Sequence, residues 1–158
     1  AAPTARAGPP SPFVLPRGFR WWDDPSGFSV AVPGGWAGGG DARSGRVFMA
    51  PGGRSTLRIS RWRPGGANPV AALIDEEQQA GLPAYRRIRI EPLPATPGAL
   101  WEYTFRDPAT GPIHALEQVM AFGGQAYLVE WHVPGEQWAA NLQRLSVVLD
   151  SFRSLRGA

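Results

Sequence analysis

Cysteine is absent from the 158 residues, which excludes disulfides, thiol catalysis and thiolate metal sites. Lysine is absent as well: all 16 basic side chains are arginine. With abundant Ala, Gly and Pro alongside, that points to GC-rich coding. No run approaches the roughly 18 to 20 apolar residues that a membrane span needs, and the expectation is of a chain without a signal peptide. Histidine is limited to His114 and His132. A Ser-His-acid site would need one of them beside an exposed, strained serine, and no G-x-S-x-G elbow occurs. Gly38 to Gly40 precede Asp41, not a helix carrying Lys or Ser/Thr, so no phosphate loop is formed. A net charge of +3 gives little footprint for nucleic acid, and none is expected as a partner.

What is present is enough for one domain with a real core, supplied largely by seven Trp and seven Phe. Residues 1–18 carry prolines at 3, 9, 10, 12 and 16 and read as a Pro/Ala-rich linker to a single globular domain over 19–158. The chain opens on Ala1, and the expectation is of a processed or excised piece, with a membrane tether possible upstream. Phe19 to Trp22 and Phe28 to Val32 flank a Pro-Ser-Gly turn. Gly38 to Gly40 look like a flexible loop. Arg46 to Ala50 and Ser55 to Arg63 form another strand pair. Asn68 as N-cap, Pro69 at the first helical position, then Gly81 and Pro83 as stops bracket a helix. Tyr85 to Glu91 is a further strand.

The last third is the most patterned. Leu100 to Phe105, Ile113 to Phe122 and Gln125 to Val133 read as three antiparallel strands, the last two joined by a Gly123-Gly124 hairpin turn. That turn sets Leu116 opposite Trp131 and Glu117 opposite Glu130, on alternate faces. Matching the aromatic positions Trp101, Tyr103 and Phe105 to Leu116 and Met120 turns Glu102 toward Glu117 and Glu130, a row of three acids. Trp138, Leu142, Leu145, Leu149 and Phe152 recur at helical spacing and are expected to cover the aromatic face. The sum is an α+β fold: an antiparallel sheet of about six to eight strands packed between two main helices.

The segment Trp22-Asp23-Asp24-Pro25-Ser26-Gly27-Phe28-Ser29-Val30-Ala31-Val32-Pro33, then Trp36, Trp101-Glu102-Tyr103, Ala126-Tyr127 with Trp131, and Ser151-Phe152, resembles an actinobacterial extracytoplasmic domain. That domain is attached to membrane Ser/Thr protein kinases and found in secreted lipoproteins. The resemblance implies a PsbP-like layered fold, a location outside the cytoplasm and a scaffold used for binding partners and not usually for catalysis; no cofactor is expected.

Two clusters are candidate sites. Arg58, Arg61 and Arg63 with Trp62, and Arg87 with Arg89, could grip an anionic or cell-envelope ligand, since guanidinium binds oxyanions in a fork; the plainer reading is a charged, edge-protecting strand surface. Glu102, Glu117 and Glu130 with His132 could ligate a divalent metal, or serve a secreted hydrolase as paired carboxylates; the plainer reading is neutralisation by neighbouring arginines. Trp21, Trp22 and Trp36, near turns, are the tryptophans expected to be exposed. The function read from the sequence is a non-enzymatic sensor domain binding an envelope ligand or a protein, with a structural assembly module as the other alternative.

Overall fold

Turn chemistry and strand alternation produce the architecture seen in the computed structural model, which describes residues 13–41, 45–63, 68–94, 97–122 and 124–154. The strands are β1 (Phe19–Asp24), β2 (Phe28–Pro33), β3 (Ala37–Asp41), β4 (Gly45–Met49), β5 (Thr56–Arg61), β6 (Arg86–Pro92), β7 (Gly98–Asp107), β8 (Gly111–Phe122), β9 (Gln125–Pro134) and β10 (Arg153–Ser154). The helices are α1 (Pro69–Ala80) and α2 (Trp138–Ser151), the latter entered through a 3₁₀ turn over Gly135–Gln137. Seven strands form one antiparallel sheet in the order β3-β4-β5-β9-β8-β7-β6, and β1-β2-β10 form a small second sheet. The proline-rich lead-in up to position 12 and Gly123 of the hairpin turn lie outside the described residues. Gly124 has φ +86, and the pairing of Phe122 with Gln125 is the one the turn predicts.

Helix α1 is bounded as its sequence requires. Asn68 Oδ1 accepts from the N–H groups of Val70 and Ala71, and Gly81 closes the helix in the left-handed region at φ +57. The expected loop at Gly38 to Gly40 is instead β3, paired to β4. The glycines make that strand possible, because a Cβ on Gly38 would stand 3.1 Å from the Phe48 ring and one on Gly40 would meet the Gly45 carbonyl oxygen at 2.5 Å.

The large sheet is buried on both faces, and this overturns the expected assignment of its aromatics. One face carries Leu57, Ile59, Leu116, Tyr127, Val129 and Trp131 under α2 and β2. The other carries Ala99, Trp101, Tyr103, Val119 and Leu128 under Leu73 of α1. Trp101 pairs with Glu117 and Glu102 with Leu116, so Trp101 and Tyr103 lie away from α2. That helix is also rotated from its expected stripe: Asn141, Leu145, Val148 and Ser151 are buried, while Leu142 is 46% exposed. Ser151 Oγ accepts from the Ala31 N–H at 2.8 Å, tying α2 to β2. Trp36 is buried, not exposed, and stacks on Trp131 at 5.0 Å.

Asp24 is the anchor of the first turn. Buried at the end of β1, its carboxylate accepts from Trp22 Nε1 at 3.0 Å, the Ser26 N–H at 3.0 Å, Ser26 Oγ at 2.6 Å and Arg46 Nε at 2.8 Å. Burial alone would raise its pKa, but these bonds outweigh it and hold the carboxyl below its ordinary value.

Candidate functional site

On the α1 face, strand register sets Arg58 of β5, Glu130 of β9 and Glu117 of β8 in one row, with His132 in the next row beside Ala115 and Tyr103. The donor atoms of Glu117, Glu130 and His132 lie within 4.8 Å of one another. Tyr103 Oη donates to Glu117 Oε2 at 2.6 Å, and Arg58 Nε stands 3.7 Å from Glu130 Oε2. The His132 ring is met edge-on by Tyr103 at 6.3 Å and Phe105 at 5.9 Å. Glu117 is 5% exposed, and burial, reinforced by the charge of Glu130, pushes its carboxyl up to about 8. Burial likewise raises Glu130, against the pull of Arg58, and lowers His132.

Glu102 does not belong to this cluster. Register turns it to the opposite face, where Arg89 Nε donates to its Oε1 at 2.9 Å and His114 Nε2 lies 2.7 Å from its Oε2. His114 in turn stacks flat on Trp138, ring centroids 3.6 Å apart. The row of three acids is therefore a pair, and the hydrolase reading loses its third member. A sugar ring also needs both carboxylates open to a groove, which the buried Glu117 is not. Tyr103, read from the sequence only as an aromatic core position, stands beside Glu117 instead. The alternation of β7 would have revealed it, had the phase been known.

The arginines divide as well. Arg58 and Arg61 lie on β5 and Arg63 just beyond it, whereas Arg87 and Arg89 lie on β6 at the far edge, with β9, β8 and β7 between. At about 4.8 Å per strand the two groups are about 19 Å apart. Register slips between Arg87 and Arg89; Arg87 pairs with Glu77 of α1, and Arg89 with Glu91 and Glu102 on the other side. Arg61, Trp62 and Arg63 stay together as a ledge with a cleft on each side. The cleft toward α1, about 440 Å³, includes Asp75 and Glu76. The cleft toward the β8–β9 hairpin, about 310 Å³, is lined by the ledge with Gly124, Gln125 and Ala126 and holds no acid among the described residues.

A seven-stranded antiparallel sheet between a helix and a helix-plus-sheet layer defines a PsbP-like domain. Similar solved structures are the solution structure of cyanobacterial PsbP, CyanoP, from Synechocystis sp. PCC 6803 (TM-score 0.61, 14% identity, covering 94% of this chain and 98% of that one); the Saccharomyces cerevisiae Ran-binding protein Mog1p (0.59, 9%, 87% and 95%); and LpqN of Mycobacterium tuberculosis, involved in cell envelope biogenesis (0.54, 12%, 82% and 84%). No curated protein matches by sequence. Residues 20–154 match the model of the serine/threonine kinase C-terminal domain, and the chain belongs to that family.

Proposed function

We propose that this domain is the non-catalytic, ligand-binding end of a membrane-tethered serine/threonine kinase, facing outward from the cell. Its Arg61–Trp62–Arg63 ledge takes an anionic group of a cell-envelope ligand. The observation that carries the site is Arg61. Its Nε is buried with no hydrogen-bond partner among the described residues, while its other end reaches Gln125 Oε1 at 3.2 Å. A buried donor left unpaired costs about 1 to 3 kcal/mol; rotation of the guanidinium toward an oxyanion in the hairpin-side cleft would satisfy it, with Arg63 adding charge and Trp62 an apolar wall. The α1-side cleft would repel the same group through Asp75 and Glu76. The outward location is supported by the proline-rich lead-in and by the envelope role of LpqN, whose fold the chain shares.

The test is binding of the whole chain to phosphatidylglycerol-containing vesicles and to soluble muropeptides, followed by flotation and thermal shift. Arg61→Gln with Arg63→Gln is expected to abolish binding, and Arg87→Gln at the far edge to leave it intact. Binding indifferent to the double substitution would remove the site.

A further inference from the structure

We infer that Glu117, Glu130 and His132 form a binding site for one transition-metal cation of the zinc class, separate from the arginine ledge. Two adjacent strands present all three side chains: Glu117 and Glu130 are cross-strand partners, and His132 follows Glu130 by two residues on the same face. The ladder fixes their backbones, so no folding of a loop is needed to assemble the ligands.

The donor set selects the ion. Two carboxylate oxygens and one imidazole nitrogen suit zinc, which takes three protein ligands and keeps a position open, better than calcium or magnesium, which prefer oxygen alone. Bonds of about 2.0 to 2.1 Å in a tetrahedral sphere place donors about 3.3 Å apart. The observed donors lie within 4.8 Å of one another, and rotation of the two glutamate side chains closes the difference. Charge points the same way. Glu117 is nine-tenths buried and, among the described residues, accepts its hydrogen bond from the neutral Tyr103 hydroxyl; Arg58 stands beside Glu130. The two carboxyl groups face each other across the β8–β9 ladder, and a divalent cation would hold both, displacing the Glu117 proton. His132 makes no hydrogen bond among the described residues, its ring being held by Tyr103 and Phe105, so its nitrogens are not committed elsewhere. The Tyr103 hydroxyl would orient the Glu117 ligand from outside, as partners of metal ligands commonly do. Half-exposed Arg58 and partly exposed Glu130 mark the solvent side, where the ion enters and where the open position faces.

The experiment is calorimetric titration of the metal-free full chain with zinc chloride, with the histidine resonances followed by NMR. One-to-one binding that shifts the His132 imidazole and not that of His114 is expected. His132→Gln and Glu130→Gln should each abolish it, Tyr103→Phe should weaken it about tenfold, and His114→Gln should leave it unchanged. Absence of saturable binding, a shift confined to His114, or zinc affinity surviving in both His132→Gln and Glu130→Gln would overturn the assignment. The NMR readout on the unsubstituted chain decides the matter even if a variant fails to fold.

Discussion

Replacing Glu117 by glutamine should make the domain more stable in mild alkali and flatten the dependence of its stability on pH. Burial and the facing Glu130 carboxylate raise the Glu117 carboxyl from an ordinary 4.5 to about 8, so between those values the folded state holds a proton that the unfolded chain releases. Stability therefore falls as pH rises through that window. Each unit is worth about 1.4 kcal/mol, which caps the whole loss at about 5 kcal/mol and places about 2 kcal/mol of it between pH 6.5 and 9. Below 6.5 the slope is opposed by His132, whose partly desolvated imidazole resists protonation and withdraws stability as pH falls. The alkaline arm is thus the clean one. Glutamine resembles the protonated acid: its carbonyl accepts the Tyr103 hydroxyl and its amide can donate to Glu130. Glu130 is raised as well, so the variant keeps a shallower slope of the same sign. The assay is urea unfolding followed by tryptophan fluorescence, in chelator, at pH 6.5, 7.5, 8.5 and 9. A variant as steep as the parent, or a parent flat over this range, would refute the reasoning.

Three further outcomes follow from packing and backbone. Leu145→Ala should cost about 2 to 5 kcal/mol because Leu145 is 4% exposed, whereas Leu142→Ala should stay within about 0.5 kcal/mol; equal losses in denaturant unfolding would contradict the observed rotation of α2. Asn68→Ala should cost about 1 kcal/mol by uncapping α1, read as a lower melting temperature that Asn68→Ser restores. Gly98→Ala should lose about 3 kcal/mol or more, since at φ +151 its Cβ would stand 2.1 Å from the Val119 carbonyl oxygen. Gly124→Ala, at φ +86 with nothing within 4 Å, should lose only about 1 to 2 kcal/mol, and a reversed ranking in unfolding experiments would contradict the β7–β8 pairing.

Features set by chemistry within a few residues were legible in the sequence. Asn68, Pro69 and Gly81 bracket α1 where their side chains and backbone demand, and a turn of two residues leaves only one register for β8 and β9. The glycines of β3 misled because glycine is usually read as flexibility. Here it grants clearance, against Phe48 at Gly38 and against a neighbouring carbonyl at Gly40.

The phase of β7 was not legible. It joins β8 through Asp107 to Gly111, where Asp107 Oδ1 accepts from the N–H groups of Ala109 and Thr110, and a loop of that length permits either phase. Choosing between them needs to be told how many faces of the sheet are covered. If one face were buried, all large aromatics would share it, and Trp101 would align with Leu116. With helices on both faces the aromatics divide, Trp101 and Tyr103 going under α1 and Trp131 under α2. A shift of one residue turns every side chain over, so the same fact decides both core and site. It sends Glu102 to His114 and Arg89, where its charge is balanced, and leaves Glu117 facing Glu130 with a tyrosine hydroxyl for company. The pairing of Glu117 with Glu130 away from Glu102 therefore follows from burial of both sheet faces, a long-range property that no spacing within a single strand encodes.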